Sequence, residues 1–271
     1  MAVIAGAMAD TRAAFDSVAR AYGASNDANP LLCEMRARTL SAVFAQVPPG
    51  AHILDLGCGP GPDDELLGRS GYRVTALDWS AEMVAQARDR VARRGLSHRV
   101  TVEHLGIHEL DRLDGGPFDA ALSNFGPLNC VEAIENAAVL VAARLRPGGV
   151  LIASVIGRLC PWEAALYISR GEIARARLRL RRGLVPVPLN GRTVWMRYYT
   201  PSEFEAPFAR AGFTRVSLQA LGLFSPPPYL EAFAGRHPLL VRRLQRLDER
   251  VGGVWPFRLF GDHFLLVLRR G

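Results

Sequence analysis

Ile53-Leu54-Asp55-Leu56-Gly57-Cys58-Gly59-Pro60-Gly61 is the stretch from which the rest of the chain can be read. His52 to Leu56 is a mostly apolar run of strand length, suited to a parallel strand covered on both faces. Glycine then stands at every second position, where it accepts positive φ and lets a ligand approach the backbone with no Cβ in the way. Asp64 to Leu67 begins a helix whose free N–H groups would face that ligand. A lone loop of this kind also closes ordinary strand-to-helix turns, so the next strand matters. Arg73-Val74-Thr75-Ala76-Leu77-Asp78 is that strand, and its terminal acid lies 21 residues beyond Gly57. A carboxylate at that place can accept hydrogen bonds from both hydroxyls of a ribose.

The dinucleotide form of this loop is G-x-G-x-x-G, with a pyrophosphate seated on the helix N-terminus. Here Gly57, Gly59 and Gly61 run into Pro62, Asp63 and Asp64, and Asp55 lies just before them. Three carboxylates repel a diphosphate and suit a cofactor that carries positive charge and no phosphate. On these residues the chain resembles the class I S-adenosylmethionine-dependent methyltransferases, of the small-molecule "methyltransferase domain" type. Asp55 to Gly61 matches that family's first motif, and Leu77-Asp78-Trp79-Ser80-Ala81-Glu82-Met83 matches the segment after its second strand. Phe118 to Asn124 looks like the fourth strand, and Leu145-Arg146-Pro147-Gly148-Gly149-Val150-Leu151 like the turn into the fifth. Four motifs in order are far more specific than one.

The resemblance implies an α/β, Rossmann-like, doubly wound sheet of seven mostly parallel strands. The expected order is 3-2-1-4-5-7-6, with strand 7 antiparallel. It also implies S-adenosyl-L-methionine as cofactor and S-adenosyl-L-homocysteine as product. Asp55, Gly57, Cys58, Gly59, Gly61, Asp78, Trp79, Met83, Ile107 and Asn124 are then the expected cofactor contacts. An indole and a thioether are apt flat, polarizable walls for a purine, although Trp79 and Met83 would serve equally as core. Many relatives place an acid after the third strand to accept from the adenine amino group. This chain has Gly106-Ile107 there, so recognition would fall to backbone groups.

All 33 basic residues are arginine, against 26 acids. Residues 1–169 hold 15 Arg and 19 acids, net −4, and residues 170–271 hold 18 Arg and 7 acids, net +11. The C-terminal third is therefore the electropositive part. A hydrophobic fraction of 49% suits a globular chain able to bury a full core. No run of eighteen apolar residues exists, so no membrane span is expected. Met1 to Ala9 has no basic residue before it, so no signal peptide is expected. Cys33, Cys58, Cys130 and Cys160 are scattered without C-x-x-C spacing, which predicts reduced thiols and a cytoplasmic protein. His104 and His108 are four apart at a strand end rather than on a helix, so no metal site is expected.

Taken in order, the chain predicts a single domain: cap helices over 1–50, a cofactor-binding core over 51–156, and insertions at 157–197 and 221–262 that cover the substrate. Ala13 to Tyr22 reads as a short helix, and the resemblance implies that it folds over the site with Tyr22 closing it. A packing helix with an aromatic anchor is the simpler alternative. Leu31 to Phe44 is a second helix, whose Arg36 could meet a cofactor carboxylate or stand in solvent. Ser80 caps the helix Ala81 to Arg94. Val100 to His104 is the third strand, Val131 to Leu145 a helix, and Val150 to Ile156 the fifth strand. Trp162 to Arg182 reads as one helix with Leu166, Ile173 and Leu178 inside and six arginines around it. That basic face is either solvated or in contact with an anionic substrate or a membrane surface. Thr193 to Thr200 reads as a strand or flap. Thr200-Pro201-Ser202-Glu203 is a capping box opening a helix that Pro207 should kink or shorten. Phe213 to Ala220 and His263 to Leu268 close the sheet, with a basic helix Leu239 to Val251 between them.

Methyl transfer to a small, largely apolar metabolite is the expected activity, with O-, N- or C-acceptor and oligomeric state left open. Tyr22, Phe125, Tyr198, Tyr199 and His263 are the candidate substrate-pocket residues. His108, Tyr198, Tyr199 and His263 are candidates for a base, with none assigned. Three rivals stand beside this reading. One is an RNA or DNA methyltransferase using the basic third, against which the loop Asn124-Phe125-Gly126-Pro127 weighs because it is not an Asn-Pro-Pro-aromatic motif. The others are an NAD(P)-dependent oxidoreductase and a non-catalytic cofactor-sensing or membrane-docking module.

Overall fold

The structure is a computed structural model that describes residues 2–271, with side chains for all of these but residues 2–5, 24 and 25; of the expectation for Met1 to Ala9, Met1 lies outside the described residues. Strands β1 (His52–Leu56), β2 (Arg73–Asp78), β3 (Val100–His104), β4 (Phe118–Ser123) and β5 (Leu145–Ile156) run parallel. After a separate hairpin of β6 (Val185–Leu189) and β7 (Arg192–Met196), strands β8 (Phe213–Leu221) and β9 (His263–Arg270) complete the sheet. Its order is β3-β2-β1-β4-β5-β9-β8, with β9 antiparallel to both neighbours. In numbering that leaves out the hairpin this is the expected 3-2-1-4-5-7-6.

Helices cover both faces because the central strands are apolar on both. One layer packs Leu54, Leu56, Leu77, Phe118 and Leu266 under α5 (Ile134–Arg144) and α8 (Pro201–Arg210). The other packs Ile53, Ala76, Leu122, Ile152 and Val267 under α2 (Pro30–Gln46), α3 (Pro62–Arg69) and α4 (Ala81–Arg93). The caps follow residue type. Ser80 Oγ accepts from Met83 N at 3.1 Å, and Thr200 with Glu203 forms the reciprocal box. Helix α8 continues through Pro207 and ends at Arg210, so the proline does not terminate it.

Two stretches differ from expectation. The N-terminal helix α1 spans Ala2–Ala28, well beyond Ala13 to Tyr22. Trp162 to Arg182 is not one helix. It divides into α6 (Pro161–Ser169), α7 (Ile173–Ala176) and a single turn at Leu178–Leu180, broken at Gly171 with φ 73°. Ile173, expected inside, is exposed, and Arg179, expected on a solvated face, is buried. The Arg179 guanidinium donates to Glu163 Oε2 at 2.7 Å and Asp262 Oδ1 at 2.6 Å, and to the Gly157 and Asp262 carbonyls at 3.0 Å each. Insertion 157–197 leaves the sheet and returns at one place: Arg158 N donates to Tyr199 O at 2.8 Å, and Gly157 bridges Tyr199.

Candidate cofactor and substrate site

The glycine loop after β1 is hooked onto the end of β2: the N–H groups of Gly57 and Cys58 donate to Leu77 O at 2.8 and 3.0 Å. Gly57 has φ 83° and Gly61, the N-cap of α3, φ 77°. A Cβ on Gly59 would meet nothing within 4 Å, so that backbone is open to the cleft. Asp78 Oδ2 accepts from Gly59 N at 2.9 Å and Oδ1 from Ser80 N at 2.8 Å. Both oxygens are thereby aimed, and each keeps a lone pair. Burial pushes the Asp78 carboxyl up, and the two amide bonds only partly offset this.

Asp55, Gly57, Cys58, Gly59, Asp78, Trp79, Met83, Ile107 and Asn124 border one cavity of about 1240 Å³; Gly61, also an expected contact, is not among its lining residues. Arg36 reaches this end from α2. Its Nε donates to Asp63 Oδ1 at 2.8 Å, Asn124 Nδ2 donates to Asp63 Oδ2 at 3.0 Å, and Thr39 Oγ1 donates to Asn124 Oδ1 at 3.2 Å. Arg36 also lies over the ring of Phe125, 5.3 Å from its centroid. Phe125 holds φ 61°, a left-handed conformation that costs a non-glycine residue energy and recurs at ligand sites.

Beneath the loop, Asp55 and Asp64 lie against each other with three buried carboxylate oxygens lacking any other partner. Burial and mutual repulsion push Asp55 well above the usual carboxylate range, and burial pushes Asp64 up to about 7. The pair therefore keeps a proton that the unfolded chain would release near pH 4.

Away from the glycine loop the cavity wall is mostly apolar, with Arg12, Glu132 and Asn136 among its polar members. Phe15 of α1, Val187, Leu189, Val194 and Met196 of the hairpin, and Leu140 of α5 supply its apolar part. The hairpin is held to α1 by Trp195 N donating to Thr11 Oγ1 at 2.9 Å. Tyr22 and Phe125 border the cavity as expected, and so does His108. Tyr198, Tyr199 and His263 do not. Tyr198 faces Arg179 at 5.3 Å, and Tyr199 packs in the core against Phe204 with centroids 5.5 Å apart. His263 is the buried first residue of β9 and shares a hydrogen bond of 2.9 Å with Asp262 Oδ2. Residues 221–262 also stay off the cavity wall, so the second insertion does not cover it. Sequence reasoning missed the hairpin's first strand and the reach of α1.

Burial pushes the Cys130 thiol up to about 12 and the Tyr22 hydroxyl above its ordinary value. These wall groups therefore stay protonated at neutral pH. No cluster of three or more metal-ligating side chains is found among the described residues.

Residues 53–149 match the family model described as a methyltransferase domain. That stretch of the chain is a methyltransferase domain. Its curated relatives include the malonyl-[acyl-carrier protein] O-methyltransferase of Enterobacter lignolyticus, 34% identical over 137 residues, 50% of this chain and 51% of that protein. The ubiquinone biosynthesis O-methyltransferase of Xanthomonas axonopodis pv. citri is 32% identical over 134 residues, 47% of this chain and 52% of that protein. The chain thus spans about half the length of the curated relatives it matches. Among solved structures, the 1,6-didemethyltoxoflavin-N1-methyltransferase of Burkholderia thailandensis superposes with a TM-score of 0.60 at 20% identity, covering 97% of this chain and 88% of that one. The [4+2]-cyclase SpnF superposes at 0.57 and 19% identity, covering 87% and 81%. At these identities the likeness is one of fold, and the cyclase is a reminder that this fold carries more than one chemistry.

Proposed function

We propose that the methyltransferase domain binds S-adenosyl-L-methionine and methylates a small, largely apolar metabolite. The observation that carries the reading is the single cavity, polar and carboxylate-lined at the glycine loop and mostly apolar away from it. At about 1240 Å³ it exceeds the usual span of one ligand pocket, so cofactor and acceptor have room together. Asp78 is set to accept from the ribose hydroxyls, and Trp79, Met83 and Ile107 to enclose the adenine. Asp55 is set to face the cationic end, and Arg36 a carboxylate. The bound cofactor would supply an electrophilic methyl on a sulfonium. The chain's own part is to align the acceptor and exclude water, which Phe15, Leu140, Val194 and Met196 do by their apolar surface.

Tyr22 and Cys130 hold their protons and so would not act as bases; His108, which borders the cavity, is the candidate base for an acceptor that must lose a proton. The relatives named as O-methyltransferases support an oxygen acceptor. Against the nucleic-acid rival, the arginines of residues 170–182 do not border the cavity.

Incubation with methyl-labelled cofactor and a metabolite extract should place label in an apolar small-molecule fraction. Calorimetry should detect S-adenosylhomocysteine but not NADH. If NADH alone binds, or label enters no small molecule, the proposal fails. Asp78→Ala should weaken S-adenosylhomocysteine binding by about 1–3 kcal/mol, the worth of hydrogen bonds to a charged group. Unchanged affinity would place the ribose elsewhere.

The Asp55–Asp64 proton gives a pH dependence. A cation beside Asp55 favours its loss, so affinity should rise from pH 6 to 8 and level off above the Asp64 value of about 7. Without ligand the sign reverses. Folding retains the proton, so this pair's contribution to stability declines between about pH 4 and 7. In Asp64→Asn the affinity should become flat over pH 6 to 8, read by titration calorimetry. A slope equal to that of the unaltered protein would exclude the pair as its source.

A further inference from the structure

The helix α10 (Pro238–Val251) carries two kinds of side chain on the face it turns to solvent. Its inner face is fixed. Val241 packs with Leu31 and Ala234, and the buried Asp248 carboxylate accepts from Phe224 N at 2.6 Å, Ser225 N at 3.1 Å and the Ser225 hydroxyl at 2.5 Å. The helix therefore cannot roll its outer side chains inward. At about 3.6 residues per turn, Arg242 and Arg246 fall on one outer flank and Leu240 and Leu247 on the other, with Leu239, Arg243 and Arg250 between them.

Leu239 is 73% exposed, and Trp255, just beyond the helix, 70%. Leu240, Leu247, Val254, Phe257 and Leu259 are exposed as well. The one exposed acid of α10, Glu249, is taken by Arg38 at 3.5 Å. Arg242, Arg243, Arg246 and Arg250 form no ion pair among the described residues.

A solvated basic face accounts for the arginines but not for leucines and an indole held in water beside them. The occupant that complements both is one that offers hydrocarbon and negative charge in a single plane. An anionic lipid surface does so: arginines reach headgroup phosphates while leucines and tryptophan enter the acyl boundary. We propose that α10 and residues 252–259 dock this protein peripherally on anionic membranes. No helix among the described residues is long and apolar enough to cross a membrane, so the contact is with the surface. The stretch 170–182, read as a solvated face or as a contact with an anionic substrate or membrane surface, also exposes Ile173 and Leu180, but there Arg179 is buried and Arg175 is paired with Glu172 at 2.6 Å, whereas the α10 arginines form no such pair among the described residues. None of these residues borders the cavity, so the proposal stands or falls apart from methyl transfer.

The test is sedimentation of the full chain with vesicles of phosphatidylcholine alone or mixed with phosphatidylglycerol. Binding is expected only to the mixed vesicles, weakening as salt rises. Each arginine neutralised should lower partitioning about fivefold, so Arg242→Gln, Arg243→Gln and Arg246→Gln together should lower it about a hundredfold. Leu239→Glu with Leu240→Glu should abolish it, while S-adenosylhomocysteine affinity and the thermal midpoint stay unchanged. A vesicle-induced blue shift of tryptophan emission should disappear in Trp255→Phe. Failure to bind the mixed vesicles would overturn the proposal. So would equal binding by the leucine variant, which would reduce the contact to charge alone. Retention of polyglutamate without retention of vesicles would overturn it in favour of an acidic protein partner.

Discussion

Arg179→Met is expected to lower folding stability by about 3–5 kcal/mol, the cost of leaving a buried carboxylate without its cation. Arg179 and Asp262 are both buried, and the guanidinium is shared between Glu163 and Asp262. Burial pushes the Asp262 carboxyl up, yet Arg179 and His263 outweigh it and hold the group well below the usual carboxylate range. A depressed carboxylate stabilises the fold above its unfolded value near pH 4 and loses that contribution as pH falls further. The difference between the variant and the parent should therefore be full at neutral pH and shrink below about pH 4. Urea melts at pH 7 and pH 3 read this directly. Asp262→Leu added to Arg179→Met should recover part of the loss, because it removes the more deeply buried of the two carboxylates left without their cation. A single variant as stable as the parent would mean that water already screens the cluster.

Gly57→Ala should cost about 2–5 kcal/mol and abolish cofactor binding. The backbone there has φ 83°, which costs an L-residue about 1–2 kcal/mol. The new Cβ would also lie 2.7 Å from Pro127 Cγ, adding an overpacking cost of about 1–3 kcal/mol. Gly59→Ala is the informative contrast. Its φ of 54° carries the same left-handed strain of about 1–2 kcal/mol, but its Cβ meets no protein atom within 4 Å, so the overpacking cost is absent while the methyl group occupies ligand space. Thermal melts and calorimetric titration of S-adenosylhomocysteine should therefore separate the two variants. Equal loss of stability in both would indicate that the loop tolerates no side chain for reasons of its own fold.

The parts legible in the sequence were those whose cause is local. Strands β1 to β5 are short apolar runs ended by turn residues, and Ser80 and Thr200 cap helices by virtue of their own side chains. Asp78 and the glycines were legible because spacing alone sets them at one sheet edge. What escaped depended on distant partners. Arg179 sits in a run of arginines that reads as a wetted face, since Glu163 and Asp262 lie 16 and 83 positions away. Tyr198 and Tyr199 follow a strand and read as a flap, but the bridge from Gly157 draws them into the body. Val185-Pro186-Val187-Pro188-Leu189 does not read as a strand because proline cannot serve a central ladder. A two-stranded hairpin accepts it, with both prolines exposed.

The meeting of Arg158 with Tyr199 gives the first insertion a narrow neck. Some forty residues hang from the sheet by adjoining ends, and their hairpin lines one part of the cavity while the glycine-loop part is built from the core together with α1 and α2. On the proposed function, a segment of different lining, spliced at that neck and keeping Arg179 over Asp262, should alter which acceptor is taken while leaving the glycine loop in place.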